Sequence, residues 1–348
     1  MKINNGVKIA AVYGTVFLGA GFVSGRELIQ YFVGFGRLGI LGIIFAGVIF
    51  SLVGWAVLSI CRREKINTYS ELMAHLFGKR LGAVTEWVVA GFLFCLFVAM
   101  LAGAGATVNQ AFDLPFTVGA LAVGIVVFII LCFGLDGIVK VNVVLAPFML
   151  VGGIFIGLFS FFTYSQPAFL ETTGLAGFSW VLMAMVYASY NLVTGIPVLT
   201  ATSTLAETKR DTWFGGLVGG GLITLVGICM SLPLFLYYAD IITLEIPFLF
   251  IVSGYGSMFS TLYLAVLIVA LLTTAACNAF AVLQWLGRYF TNSRLKTALV
   301  LSAVAVLASH VGFSTIVAYV YPAFGFLGLF KIIVILFYAV CKPIRLYE

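Results

Sequence analysis

The sequence predicts an all-α polytopic membrane protein of about ten transmembrane helices, and three observations carry that reading. Of its 348 residues 63% are apolar and only 9% charged, where soluble domains carry about 25% charged residues. The apolar residues form segments of the length, about 20 residues, that a helix needs to cross a hydrocarbon core of roughly 30 Å. Lys and Arg gather in alternate links, as they do when those links face the cytoplasm. No room remains for a soluble domain, so 1–348 reads as one transmembrane domain.

The first segment spans 7–35. Lys2 and Lys8 give it the start of a signal peptide, but the run continues past Gly19 and Gly25 to Gly36 without a small-residue cleavage site, so an uncleaved span is expected. The second spans 38–61. In the link 63–80, Thr68-Tyr69-Ser70-Glu71 has a capping-box pattern, and Leu72, Met73, Leu76 and Phe77 follow at helical spacing, which predicts an amphipathic surface helix. Further spans are expected at 81–106, 116–134, 139–163, 178–205 and 213–238. The link 239–256 contains Glu245-Ile246-Pro247-Phe248-Leu249-Phe250 and suits a short outer helix or hairpin. Spans at 257–287, 295–309 and 324–342 complete the count, with 312–322 lying along the outer interface, anchored by Tyr319 and Tyr321.

In this order the basic residues, from Lys2 and Lys8 through Arg62, Arg63, Lys65, Lys209 and Arg210 to Lys342 and Arg345, fall on one side, and only Arg37 lies opposite. Both termini are therefore expected to be cytoplasmic, in a multi-pass protein of the cell membrane. The net charge of +6 reports this asymmetry and not a nucleic-acid partner. The six cysteines lie in or beside apolar stretches without a C-x-x-C spacing and read as packing residues. An enzyme is not expected: His75 and His310 fall on opposite sides, and Gly134-Leu135-Asp136-Gly137 has the wrong order for the G-x-G-D of an intramembrane protease.

The chain also repeats itself. Residues 12–21, VYGTVFLGAG, and 186–195, VYASYNLVTG, share Val, Tyr, Leu and Gly in register. The same offset sets Gly42 over Gly216, Gly47 over Gly221 and the inner link 65–80 over the outer link 239–254. Two halves, 1–163 and 178–348, with five spans each, must cross in opposite senses, which makes a 5+5 inverted repeat. Gly14, Gly19, Gly21 and Gly25 interrupt the first span, and Asn191, Thr194, Gly195 and Pro197 the sixth, so breaks are expected near 19–25 and 189–197. Small-residue helix packing explains either segment alone; paired breaks in inverted halves point instead to backbone lining a cavity.

Ten spans, an inverted repeat and broken first and sixth helices resemble the LeuT fold of the amino acid-polyamine-organocation superfamily. The segment Gly19-Ala20-Gly21-Phe22-Val23-Ser24-Gly25-Arg26-Glu27 resembles the signature of the YkvI-like bacterial membrane proteins. The resemblance covers essentially the whole chain and implies a carrier of an amino acid or related small solute. It also implies a second sodium site built from the Thr273 and Thr274 hydroxyls with the Thr15, Leu18 and Ala270 carbonyls, although back-bonding of the threonines is the ordinary alternative. It places Arg26 near an outer gate, but the tenth span offers no acid, so Glu27, Asp240 or Glu245 would have to stand in.

The expected function is a secondary transporter working by alternating access, with no cofactor beyond sodium as the coupling ion. N–H groups around Gly19, Ala20 and Gly21 would receive a solute carboxylate, and Tyr187, Ser189, Tyr190 and Asn191 would shape the other wall. Arg26, Glu27 and Lys331 are charges at membrane depth, each costing at least ~2.5 to 3.5 kcal/mol at a helix centre, and are the candidate gate or coupling groups. Two rivals remain: a proton carrier using Glu27 or Lys331, and a solute sensor like the germination-receptor subunits of the same superfamily.

Overall fold

A computed structural model describes residues 5–16, 20–133, 151–160 with 162, 179–289 and 293–341. Among them every regular element is helical. The first span is divided into α1 (Asn5–Val16), α2 (Ala20–Ser24) and α3 (Arg26–Tyr31), followed by a 3-10 turn at Val33–Phe35. Then come α4 (Arg37–Glu64), α5 (Tyr69–Phe112), α6 (Phe116–Phe133), α7 (Val151–Ser160), α8 (Trp180–Thr202) and α9 (Lys209–Leu236). Short helices α10 (Tyr238–Ile241) and α11 (Pro247–Ser253) precede α12 (Ser257–Leu286) and α13 (Arg294–Ser309). The last run joins α14 (Phe313–Thr315), a π turn (Ile316–Val320) and α15 (Tyr321–Cys341). Seven of the described helical runs are long and apolar enough to cross a membrane; α1–α3, α7 and α13 occupy three of the other expected places.

The interruption of the first span has a local cause. Gly25 sits at φ +83°, where a Cβ would also meet Phe248 at 2.6 Å. Ser24 bridges the break: its hydroxyl donates to the Gly21 carbonyl at 2.7 Å and accepts from the Arg26 N–H at 3.2 Å. The expected link helix is present, with Thr68 and Glu71 capping each other's backbone N–H groups. Gly78, at φ +78°, turns it into the span that follows.

Two expectations are corrected. The sixth span is not broken: α8 is one helix through Asn191, Gly195 and Pro197. Proline removes only one backbone donor, and its neighbours keep the helix tied, since the Asn191 amide donates to the Tyr187 carbonyl and the Thr194 hydroxyl to the Asn191 carbonyl. Nor does 312–322 lie apart from the last span, because the helical run begins at Phe313. Tyr321 is accordingly buried, and only Tyr319 is exposed.

Small residues let the long helices touch. Gly216 and Gly220 of α9 bring its backbone against Gly54, Trp55 and Ser51 of α4, leaving no space for a Cβ. The pairing is reciprocal: α1 packs on α9 as α8 packs on α4, while α4 packs on α9 and α5 on α12. The links sort to two ends. At one, Asn5 donates to Glu207 and Ser203 to the Ile66 carbonyl. At the other, Gln110 exchanges two hydrogen bonds with the backbone of Ile246, and Glu245 accepts from the N–H and hydroxyl of Ser314.

Candidate functional site

α3 starts immediately after the break and turns Glu27 inward, where the residue is 7% exposed. The Tyr190 hydroxyl, from the middle of α8, donates to Glu27 Oε2 at 2.7 Å. The other oxygen, Oε1, lies so close over Gly21 that a Cβ there would overlap it. Glu27 thus joins the two segments that the sequence singled out, and no cation is paired with it among the described residues.

Rings enclose the carboxyl. Tyr31, one helical turn beyond Glu27 on α3, has its centroid 5.4 Å from Tyr187 and 5.3 Å from Tyr190. Tyr190 is 5.0 Å from Tyr321 of α15, and Phe92 of α5 closes the cluster at 6.1 Å from Tyr190 and 5.8 Å from Tyr321. Tyr31, Tyr187, Tyr190 and Tyr321 all interact electrostatically with Glu27. The Tyr321 hydroxyl is buried and has no hydrogen-bond partner among the described residues. Tyr187 also lines a small, mainly apolar recess with Phe22, Phe32, Ile43, Phe50 and Ile223.

The other predicted residues fall around this centre or away from it. Gly21, Tyr187 and Tyr190 belong to it; Asn191 spends its amide on the Tyr187 carbonyl, and Ser189 donates to the Gly325 carbonyl at 2.6 Å, fastening α8 to α15. Gly19 and Leu18 lie outside the described residues, as do the side chains of Thr15 and Ala20. In the predicted sodium set the Thr273 hydroxyl donates to the Ala270 carbonyl at 3.2 Å, and Thr274 is half-buried.

Among the described residues Arg26 does not reach a carboxylate as expected. Its guanidinium donates to the carbonyls of Ile242, at 2.5 Å, and Leu244, at 3.3 Å. Glu245 acts on it only through space, its carboxylate being held by Ser314, and Asp240 forms no ion pair among the described residues. Arg26 therefore ties the broken helix to the 242–246 link. Lys331 is buried on α15, but its nearest partner is the Tyr69 hydroxyl at 3.5 Å, at the start of α5. Because the last helix begins earlier than expected, Lys331 falls past its middle, about 15 Å along the axis from Tyr321.

Sequence reasoning missed Tyr31, Phe92 and Tyr321. Tyr31 carries a usable signal, its i+4 spacing from Glu27. Phe92 is one of 33 phenylalanines and carries none.

No protein-family model matches the chain. It is 25% identical over 322 residues to YkvI, a membrane protein of Bacillus subtilis (strain 168), covering 92% of each chain. It is 26% identical over 333 residues to YyaD of the same organism, covering 93% of this chain and 94% of that one. Among solved structures, the manganese transporter of Eremococcus coleocola superposes with a TM-score of 0.61 at 14% identity, over 94% of this chain and 77% of that one. The inward-facing conformation of Mhp1 gives 0.62 at 13%, over 95% and 76%. The chain has the LeuT fold. As a homologue of YkvI and YyaD with that fold, it is a multi-pass membrane protein, and its buried carboxyl sits where the interrupted first helix of this LeuT fold meets the sixth.

Proposed function

We propose that the protein is a secondary active transporter that carries a small organic solute across the cell membrane by alternating access, with both termini cytoplasmic. The observation that carries this reading is the Glu27–Tyr190 contact between the broken first helix and α8. A carboxyl at membrane depth costs at least ~2.5 kcal/mol unless it is paired, and Glu27 has no cation to offset that cost among the described residues. A charge so placed is read as a binding or coupling group. The solved neighbours of the same fold, one of them a manganese transporter, support a carrier over a sensor.

The reading assigns coupling to a proton on Glu27 in preference to sodium at Thr273 and Thr274. The Thr273 hydroxyl is engaged with its own helix, whereas the Glu27 carboxyl can take or release a proton where both helices meet. It also revises the solute's expected orientation: negative charge beside Gly21 repels a solute carboxylate and attracts an amino group. The inverted repeat of 1–163 and 178–348 is part of the proposal, supported by the reciprocal packing of α1 on α9 and α8 on α4.

Proteoliposomes containing the full chain, offered labelled amino acids, amines and small carboxylates, test it. A proton gradient is expected to drive uptake, and Thr273→Val and Thr274→Val are expected to leave it intact. Uptake driven by sodium alone and abolished by either valine would move the coupling to α12. Binding without flux would favour the sensor.

A further inference from the structure

We propose that the link helix, residues 69–77, is a hinged strap that closes the inner end of the molecule by latching onto α15, and that the buried Lys331 beneath it drives the strap open. The proposal rests on the transporter reading above and adds the moving element of its inner gate.

The strap has a turning residue at each end. Lys65, just past α4, holds φ +55°, and Gly78, between the strap and the rest of α5, holds φ +78° with nothing within 4 Å of the place a Cβ would take. Left-handed residues at element ends, the second with open space around it, are where a rigid piece pivots. Between them Thr68 and Glu71 cap the strap, so it moves as one helix.

Contacts of two opposed kinds join the strap to α15. His75 Nε2 and the Tyr338 hydroxyl share a hydrogen bond at 2.6 Å, and the ring of Phe77 lies 5.8 Å from that of Phe330. Glu64 of α4 lies 3.9 Å from the same His75 nitrogen and is itself paired with Arg63 at 2.9 Å, so the latch also reaches α4. These contacts favour closure. Lys331 opposes it: the side chain is 4% exposed, its ammonium has the Tyr69 hydroxyl of the strap at 3.5 Å, and no carboxylate pairs with it among the described residues. One long hydrogen bond leaves N–H groups of that ammonium unsatisfied, whereas water would solvate them all. Lys331 lies on the strap side of the carboxyl cluster, about 15 Å along α15 from Tyr321. Lifting the strap therefore wets the ammonium and opens the inner end toward the cluster. Closed, the latch is satisfied and the lysine is not; open, the reverse holds, and opposed terms of this kind make an element with two states.

The test gives the two sides of that balance opposite signs. In the full-length protein in detergent, Met73→Cys puts a thiol on the covered face of the strap, and its modification by N-ethylmaleimide, located by peptide mass spectrometry, reads opening. Added to that variant, Tyr338→Phe and His75→Phe each keep a ring and remove the hydrogen bond, and each is expected to speed the modification about two- to tenfold. Lys331→Met keeps the stem and removes the charge, and is expected to slow the modification by about fivefold or more. Faster modification in all three variants, the result of a merely structural role, would overturn the proposal, as would no change in any. In proteoliposomes, Phe77→Cys with Phe330→Cys, joined by an oxidant, is expected to lose about tenfold or more in uptake of labelled amino acids and amines and to regain it with dithiothreitol. Undiminished uptake with the disulfide formed would overturn the gate. The transporter reading fails separately: the expected changes in modification without uptake by the wild-type chain support the strap and remove the carrier, whereas uptake with modification insensitive to all three substitutions keeps the carrier and overturns the strap.

Discussion

Glu27 is legible in the sequence as a charge where a charge is expensive, but not as the centre of the site, because its surroundings come from five separate elements, α2, α3, α5, α8 and α15. The glycine beside it is a spatial requirement: at Gly21 any Cβ would displace the carboxyl. Gly21→Ala is therefore expected to destabilise the protein by about 1–3 kcal/mol and to reduce uptake by tenfold or more, while Gly221→Ala, which meets nothing within 4 Å, should leave both unchanged. Thermal unfolding and proteoliposome flux on the two variants check this. Tyr190→Phe removes the hydroxyl that Glu27 uses and keeps the ring. It should cost about 1–3 kcal/mol of stability in denaturation and reduce flux, whereas Tyr319→Phe, on the exposed face, should do neither. Arg26 shows the limit of reading one residue at a time. The sequence marks a charge near the outer end, and only the folded 242–246 link shows that carbonyls receive it.

Among the elements, those with local causes were readable. Thr68 and Glu71 cap the link helix as their spacing predicts, and Pro247 opens a short helix in the outer link. The backbone N–H groups of Asn67 and Thr68 hold the Glu71 carboxyl below the usual carboxylate range. A lowered value means that the cap stabilises the link helix above the ordinary Glu value of about 4.3 and is lost as the pH falls through the folded value. Protection of amides 72–77 in hydrogen exchange, corrected for intrinsic rates, should be flat near neutrality and fall in acid; in Glu71→Gln the acid step should disappear. The break of the first helix was readable because Gly25 adopts a backbone that other residues avoid. Gly25→Ala should cost more than 1 kcal/mol in thermal unfolding, since the new methyl must also enter the space of Phe248. The sixth helix was not readable in the same way. Asn, Thr, Gly and Pro weaken a helix in isolation, but packing against α4 and α15 and two side-chain bonds to its own carbonyls hold α8 continuous.

At the scale of the whole molecule, composition and span length announce the membrane, and the offset repeat with the glycine-rich first span announces the fold. The contents of the site were less accessible because the last helical run begins at Phe313, bringing Tyr321 into the core and carrying Lys331 away from it. What the assembled molecule adds is a carboxyl enclosed by tyrosines where the broken first helix crosses α8, with one link region gathered at each end. The most direct measurement of its role is uptake of labelled amino acids and amines by proteoliposomes under an imposed proton gradient, with and without sodium. The account predicts that the proton gradient drives uptake in wild-type vesicles whether or not sodium is present, and that Glu27→Gln vesicles lose it. Uptake driven by sodium alone, or equal proton-driven uptake by Glu27→Gln, would contradict it.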